Sequence, residues 1–198
     1  KHPFLRILCG GVIINTNLVG SYNADNVMAA IAVGVHFGVS FEDAVKAIEA
    51  YVPANKRSQM TKTERNTLIV DAYNANPTSM AAALENFSNV SAECKVALLG
   101  DMLELGEESL AEHVAVIKSA CSRGLAHVYF VGKEFQAASS ALASELGDET
   151  AAQMLSAAHF FTTSDDLAAH LTSEQLAGAT ILIKGSRGTR MENVIPSL

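Results

Sequence analysis

Residues 70–77 read Val70-Asp71-Ala72-Tyr73-Asn74-Ala75-Asn76-Pro77, and this stretch indicates the fold class of the chain. The apolar run before it, residues 68–70, is typical of a buried strand, and the Ala-rich residues 78–84 after it are typical of a helix. Pro77 falls where the first turn of a helix tolerates proline, because its missing N–H would have no partner there. A strand that ends in Asp, followed by a polar loop and a helix, is how an α/β sheet presents a ligand-binding edge.

The alternation of strands and helices continues along the chain from about residue 57. A hairpin-like pair of strands is predicted at residues 58–63 and 67–71. Further strands are predicted at residues 96–99, 128–131, 160–162 and 181–183, with helices at residues 78–90, 108–123, 134–146 and 164–171. This pattern indicates an α/β fold with a Rossmann-like, mostly parallel sheet and helices on both faces. The strands are continuously apolar, as expected of strands that are buried on both faces.

The first 55 residues are predicted to form an incomplete unit. Two short strands at residues 6–9 and 12–14 are followed by two helices at residues 23–38 and 40–51. Two short strands bury little apolar surface and do not make a domain by themselves. We therefore expect residues 1–55 to be the end of one domain and residues 56–198 to be another. The chain opens at Lys1-His2-Pro3 with no initiator Met and no visible signal peptide, which we interpret as a boundary within a longer sequence.

The composition restricts the classes of partner and the compartment. At 198 residues and 49% hydrophobic content the chain can form a packed core, and its net charge of -7 argues against nucleic acid or an anionic membrane as the main partner. No apolar run approaches the ~20 residues that a membrane-spanning helix needs. The three cysteines, Cys9, Cys94 and Cys121, lack metal-ligand spacing. We expect them to be buried, reduced thiols of a cytoplasmic protein.

The residues that directly follow each strand are the candidates for a ligand site, because parallel strands point their carboxyl ends to one edge of the sheet. Polar side chains occur in each of these segments, at residues 71–76, 100–106, 132–133, 163–165 and 184–188. Carboxylates, amides and cations are therefore expected to meet at one rim. The sequence contains no G-x-x-x-x-G-K-S/T phosphate loop, so this chain alone has no evident way to cradle a triphosphate.

Four residues are candidates for contacts with a nucleotide. Asp71 could bind ribose hydroxyls, or it could cap the helix that follows. Asn23 and Asn26 lie three residues apart at a helix start, where their amides could pair with a base such as adenine, although Asn23 could simply cap that helix. Arg57, at the predicted domain junction, could reach a phosphate or ribose, or could be an ordinary surface residue.

The polar loops after the first two parallel strands carry further candidates. Asn74 and Asn76 could bind a peptide or a nucleotide, or could form the loop itself. Asp101 and Glu104 could form an acidic pocket for an ammonium group or a metal, or could be acids favoured at a helix start. His113, on the next helix, could face the same rim or could be an ordinary surface or hydrogen-bonded residue.

Residues 184–188 read Lys184-Gly185-Ser186-Arg187-Gly188 and favour an anion site. The two glycines allow the backbone to approach a ligand closely, while Lys184, Ser186 and Arg187 offer hydrogen-bond donors. A helix predicted at residues 189–194 would add the N–H groups of its first turn. The alternative is a plain basic turn.

Five stretches of the sequence together resemble the Mur ligases of peptidoglycan synthesis. They are Gly20-Ser21-Tyr22-Asn23-Ala24-Asp25-Asn26, Arg57, residues 71–77 (DAYNANP), residues 99–106 (LGDMLELG) and residues 184–192 (KGSRGTRME). The resemblance covers almost the whole chain. Residues 71–77 and 99–106 are most similar to one branch of the family, the ligases that join D-alanyl-D-alanine to UDP-N-acetylmuramoyl-tripeptide.

The resemblance implies a domain organisation and an activity. Mur ligases have a UDP-sugar domain, a central ATPase domain and a Rossmann-like C-terminal domain, so residues 1–55 would be the end of the central domain and residues 56–198 the C-terminal domain. The implied reaction is that of an ATP-dependent acid–amino-acid ligase. The tripeptide carboxylate takes the γ-phosphoryl group of ATP to give an acyl phosphate, and the amine of D-alanyl-D-alanine displaces phosphate, with Mg²⁺ neutralising the developing charge.

The resemblance also distributes roles among the candidate residues. Asn23 and Asn26 would contact adenine, and Arg57 and Asp71 would hold the ribose and phosphates. Asp71→Ala should then raise the KM for ATP more than it lowers stability. The residues implied on the acceptor and peptide side are Asn74, Asn76, Asp101, Glu104, Lys184, Ser186 and Arg187.

The catalytic residues, the phosphate loop and the main Mg²⁺ ligands would lie upstream of this chain. We therefore expect the isolated chain to contain no metal site and to be inactive, as part of a cytoplasmic monomer. Two other classes of function remain open. One is a different ligase of the same superfamily or a folylpolyglutamate synthase, and the other is a non-catalytic α/β binding module.

Overall fold

The computed structural model describes residues 4–53 and 59–198 of the chain. An N-terminal unit contains the antiparallel strands β1 (Phe4–Cys9) and β2 (Val12–Val19) and the helices α1 (Ala24–His36) and α2 (Phe41–Ala50). Both strand predictions and both helix predictions are confirmed, and β2 extends five residues beyond the predicted strand. A small core cluster centred on Ile14, Val27 and Ile31 holds the unit together.

Within the described residues the main sheet has six strands. They are β3 (Gln59–Lys62), β4 (Thr67–Asp71), β5 (Lys95–Gly100), β6 (His127–Val131), β7 (Ala158–Phe161) and β8 (Thr180–Lys184). Their order across the sheet is β3-β4-β8-β5-β6-β7, in which β3 is antiparallel to β4 and the other neighbours are parallel. The predicted hairpin and the predicted mostly parallel sheet are therefore both confirmed.

Helices cover both faces of the sheet, as predicted. They are α3 (Pro77–Ser88), α4 (Ser109–Cys121), α5 (Lys133–Leu146), α6 (Asp148–Met154) and α7 (Ser164–Glu174). Successive strand side chains point to opposite faces. Leu99 and Phe130 therefore pack with α3, α4 and α5, whereas Leu98 and Ile183 pack with α7 and the C-terminal residues. The short helix α6 was not predicted. None of the described helices is long and apolar enough to cross a membrane.

The prediction of a helix at residues 189–194 is wrong. Two 3₁₀ turns, Arg187–Thr189 and Met191–Ser197, take its place, and Arg190 between them has a left-handed backbone with φ 50. Gly100 and Gly185 explain this path, because the chain packs so closely over them that a Cβ on Gly185 would lie 2.7 Å from Thr189 Oγ1. Packing on the sheet thus outweighs the local preference for an α-helix.

The cysteines Cys9, Cys94 and Cys121 are free thiols, as predicted, but each is half-buried rather than fully buried. Burial raises the pKa of the Cys121 thiol to about 11. Because the thiolate is the reactive form, Cys121 is poorly reactive near neutral pH.

Candidate functional site

The candidate residues of three strands meet at the carboxyl edge of the sheet. Asp71 ends β4 and is the direct register partner of Lys184, which ends β8. Lys184 is also the register partner of Leu99, near the end of β5. Because β8 lies between β4 and β5, the loops that follow these three strands are neighbours, although they are far apart in sequence.

A buried ion pair lies at the centre of this rim. The Nζ atom of Lys184 is 2.7 Å from Oδ2 of Asp71, and the two side chains are 1% and 12% exposed. Lys184 also donates a hydrogen bond to the backbone oxygen of Asn74 at 3.0 Å. The hydroxyl of Tyr22, from the N-terminal unit, donates to Asp71 Oδ2 at 3.1 Å. Lys184 is therefore not part of a plain basic turn, and that alternative is wrong for this residue.

The loop between β4 and α3 is held by its own asparagines. Asn76 caps α3: its Oδ1 accepts a hydrogen bond from the N–H of Ser79 at 2.8 Å, and the Ser79 hydroxyl accepts one from the Asn76 N–H. Asn74 Oδ1 accepts from the N–H of Ala75 at 2.9 Å. The interpretation of Asp71 as the cap of α3 is thus wrong, whereas Pro77 occupies the first turn as predicted.

Asp101 caps a helix that is distant in sequence. Its two carboxylate oxygens accept hydrogen bonds from the N–H groups of Glu134 and Phe135, at 3.1 and 3.0 Å, in the first turn of α5. The helix dipole and the free N–H groups there favour a negative charge. The prediction of an acid at a helix start holds for Asp101, but the helix is α5 rather than α4, which follows Asp101 in the chain.

Burial raises the pKa of Asp101 above its ordinary value of 3.8, although the N–H groups of Glu134 and Phe135 oppose the shift. The folded chain then binds the proton more tightly than the unfolded chain, so this group contributes stability that is full below pH 3.8 and is lost as the pH rises through the raised pKa. We expect an NMR titration of the carboxyl carbon to give a midpoint above 3.8. The unfolding free energy of the wild type relative to Asp101→Asn should fall across the same pH window. A midpoint at or below the ordinary value would show that burial does not outweigh the two N–H groups in setting the pKa of Asp101.

A second network joins the loops after β5 and β8. His113 is fully buried, and its Nε2 accepts a hydrogen bond from the N–H of Met102 at 3.0 Å, while Nδ1 lies 2.7 Å from the carbonyl oxygen of Ser109. Ser186 Oγ accepts from the N–H of Leu103 at 3.0 Å, and the N–H of Ser186 donates to the carbonyl oxygen of Asp101 at 3.1 Å. His113 is thus a buried, hydrogen-bonded residue, and it also faces the rim, since its partner Met102 belongs to the loop after β5 and its Nε2 lies 3.7 Å from Oδ1 of Asp101.

Glu104 and Arg187 are the exposed charged candidates at the rim. Glu104 has a left-handed backbone with φ 67 and lines a small cavity of about 170 Å³ together with Leu105. The guanidinium of Arg187 lies 5.9 Å from the centre of the Tyr73 ring. These two side chains project from the loops after β5 and β8, so charges of both signs are open to a ligand.

The predicted nucleotide residues of the N-terminal unit differ from one another in exposure. Asn23 is buried and donates a hydrogen bond from Nδ2 to the carbonyl oxygen of Val19 at 2.9 Å, and it makes no capping bond, so the interpretation of Asn23 as a cap is wrong. Asn26 is exposed, and its Nδ2 lies 3.4 Å from Oδ1 of Asn23. Arg57 lies outside the described residues.

Tyr22 is a member of the site that no local sequence pattern indicates. Its hydroxyl bonds to Asp71 across 49 positions of sequence, a contact for which residues 20–26 carry no signal. The N–H groups of Met102 and Leu103 also belong to the site, through their bonds to His113 and Ser186, and backbone donors have no sequence signature.

Two cavities show where space is available. One of about 410 Å³ lies along the rim and is lined by Asp101, Glu134 and Arg190, among others. A second, of about 290 Å³, lies between the N-terminal unit and α3 and is lined by Tyr22 but by none of the candidate residues named from the sequence. Within residues 4–53 and 59–198, no group of three or more His, Cys, Asp or Glu side chains could hold a metal ion.

Comparisons with known proteins identify relatives over nearly the whole chain. The family model "Mur ligase, glutamate ligase domain" matches residues 56–187. A UDP-N-acetylmuramoyl-tripeptide–D-alanyl-D-alanine ligase of Treponema pallidum is 34% identical over 195 residues, covering 98% of this chain and 40% of that protein. The ligase of the same name from Escherichia coli is 35% identical over 198 residues, again covering 98% of this chain and 40% of the relative.

The solved structures give the same result. A crystal structure of MurF from Acinetobacter baumannii superposes with a TM-score of 0.80 at 31% identity, covering 94% of this chain and 40% of that chain. The chain therefore spans about 40% of the length of the curated relatives it matches.

Proposed function

Because this chain belongs to the Mur ligase family, we propose that it is the C-terminal part of an ATP-dependent ligase that adds D-alanyl-D-alanine to UDP-N-acetylmuramoyl-tripeptide. The observation that carries the proposal is the match over 98% of the chain to ligases that bear this name. The reaction would proceed through an acyl phosphate of the tripeptide, which the amine of the dipeptide then attacks, in cytoplasmic peptidoglycan precursor synthesis.

We assign residues 1–55 to the end of the central ATP-binding domain and residues 56–198 to the C-terminal domain. Large apolar side chains on the N-terminal unit support this division: Leu8 is 72% exposed, Phe37 80% and Val52 66%. Large apolar side chains as exposed as these are favoured at a surface that another part of the protein covers. The rest of a central domain would be that cover.

The described residues fit a share of an ATP site but not a Mg²⁺ site. Asn26 has an exposed amide suited to a base. Asp71 ends β4 at the ligand-binding edge of the sheet, and because its Oδ2 accepts from Lys184 and Tyr22, we assign its other carboxylate oxygen to ribose hydroxyls. No metal-holding group of side chains is present in the described ranges, so Mg²⁺ and the phosphate loop are assigned to the upstream domains. ATP, when bound there, supplies the phosphoryl group that activates the carboxylate. Asn23 and Arg57 complete the proposed nucleotide set.

On the acceptor side, the proposed residues divide into scaffold and contact groups. Asn74, Asn76, Asp101, Lys184 and Ser186 hold the loops through the hydrogen bonds described above. Glu104 and Arg187 are exposed and carry opposite charges, which suits the ammonium and carboxylate groups of a dipeptide. We propose that these two side chains contact the acceptor directly.

The isolated chain is proposed to be inactive, and the complete ligase to act as a monomer that contacts neither nucleic acid nor membrane. Another ligase of the family would share this fold but require a different acceptor. A non-catalytic binding module would bind without releasing phosphate. The acceptor dependence of phosphate release separates all three.

The decisive experiment measures phosphate release by the full-length protein with ATP and UDP-N-acetylmuramoyl-tripeptide, with and without D-alanyl-D-alanine. We expect release that depends on the dipeptide, and none from residues 1–198 alone. Release with a different amino acid would identify another ligase of the family. Absence of release with every acceptor would contradict the proposal and favour a binding module.

A further inference from the structure

The loop after β5, residues 101–106, presents Glu104 at the rim in an unfavourable backbone conformation. Its φ of 67 lies in the left-handed region, which residues other than Gly seldom adopt. Such a conformation persists only where the surrounding structure holds the chain in place. The contacts that hold this loop therefore decide where the Glu104 carboxylate lies.

Three side-chain anchors hold the start of the loop, each from a different direction. The Asp101 carboxylate binds the first turn of α5, and Ser186 Oγ accepts the N–H of Leu103 from the loop after β8. The third anchor is His113 on α4, whose Nε2 accepts the N–H of Met102 at 3.0 Å. Of the three, His113 is the one that the resemblance to known ligases did not assign to the site.

The hydrogen bonds define the orientation of the His113 ring. Nε2 accepts the N–H of Met102 at 3.0 Å, and Nδ1 lies 2.7 Å from the carbonyl oxygen of Ser109. The Asp101 carboxylate also lies 3.7 Å from Nε2. The His113 ring is fully buried and packs edge-on against Phe135 with a centroid distance of 4.6 Å, so it has little freedom to move.

We propose that His113 is a positioning residue for the acceptor: through the N–H of Met102 it holds the loop that places Glu104 at the binding site of the dipeptide ammonium group. This inference rests on the proposed function. It predicts an effect on the KM for the acceptor and not on the KM for ATP, because Asn26 and Asp71 lie on other elements.

The two ring nitrogens have separable tasks. Nδ1 bonds the carbonyl of Ser109 four residues earlier in the same helix, whereas Nε2 alone reaches the loop. A Gln side chain places its amide near the position of Nε2, and a shorter Asn side chain places it near Nδ1. His113→Gln should therefore keep the bond to Met102, and His113→Asn should lose it while keeping the bond within the helix.

The test compares His113→Gln and His113→Asn in the full-length ligase, with Val116→Ala as the matched control. Val116 is buried on the same helix and has no polar side-chain atom, so its truncation lowers stability while the hydrogen bond from the Met102 N–H to His113 remains. We expect His113→Asn to raise the KM for D-alanyl-D-alanine about tenfold, since it leaves a buried N–H without a partner, and to leave the KM for ATP within about twofold. His113→Gln should stay close to wild type.

Hydrogen exchange at the Met102 amide gives a readout that does not depend on activity. Exchange should accelerate in His113→Asn and stay slow in His113→Gln and Val116→Ala. The proposal would be overturned if His113→Gln and His113→Asn had equal KM values for the acceptor and equal exchange rates at Met102. It would also be overturned if Val116→Ala raised the acceptor KM in proportion to its loss of thermal stability, as His113→Asn does. If the wild type released no phosphate with the dipeptide, the proposed function would fail first, and equal Met102 exchange would then overturn the positioning role separately.

Discussion

Asp71→Asn is expected to lower the free energy of unfolding of this chain by about 3–5 kcal/mol, because it leaves the Lys184 ammonium buried without a counter-ion. Lys184 is only 1% exposed, and its charge is 2.7 Å from the Asp71 carboxylate. A buried ion whose partner is removed keeps its full desolvation cost and loses the compensating attraction. Asp71→Asn keeps the size of the side chain, so the loss reports on charge rather than on a cavity.

The double variant Asp71→Asn/Lys184→Met isolates the interaction. It removes both charges and keeps an apolar side chain of similar length in the sheet, so it should recover most of the lost stability. Urea unfolding of the wild type, both single variants and the double variant completes the cycle.

An exposed ion pair provides the control for this cycle. Lys118 and Glu145 are 3.0 Å apart but are 39% and 58% exposed, so Lys118→Met should cost less than about 1 kcal/mol. If Asp71→Asn and Lys118→Met lowered the free energy of unfolding equally, the buried Lys184 ammonium would not depend on Asp71 as its counter-ion.

The buried ion pair of Asp71 and Lys184 also changes an expectation drawn from the sequence. An edge carboxylate was expected to affect ATP binding more than stability. With Lys184 behind it, Asp71 is expected to affect both, so a rise in the KM for ATP has to be measured at a temperature where the variant stays folded.

Gly132→Ala is expected to lower the free energy of unfolding by about 2–5 kcal/mol. Gly132 precedes α5 and has a φ of +125, a region that L-amino acids with a side chain rarely adopt. A Cβ at this position would also overlap the Asp101 carboxylate. The substitution therefore combines backbone strain with displacement of the group that caps α5.

Gly147→Ala separates the two contributions. Gly147 has φ 77 and ψ 155, in the same glycine-favoured region as Gly132, but a Cβ there would have no neighbour within 4 Å, so only backbone strain of about 1–3 kcal/mol is expected. Thermal or urea unfolding of both variants gives the comparison. A Gly132→Ala variant no less stable than Gly147→Ala would show that Asp101 can move aside without cost.

Local patterns in the sequence sufficed for most elements of this protein, although not for the short helix α6, because apolar periodicity and turn residues act over a few positions. Residues 67–71 and 181–183 were recognised as strands from their own composition, and Pro77 marked the start of α3. The helix predicted at residues 189–194 failed for the opposite reason. Its path depends on Gly100 and Gly185, which lie beneath it only in the folded chain.

By itself the sequence determined the order of strands and helices, and hence that polar loops would meet at one rim of a mostly parallel sheet. Only the tertiary structure decided which polar groups there are used to hold the fold and which remain open to a ligand. Lys184 meets Asp71 across 113 residues, and Asp101 meets α5 across 33. Burial and hydrogen-bond partners come from residues distant in the chain, so local sequence could name the candidate groups but could not pair them.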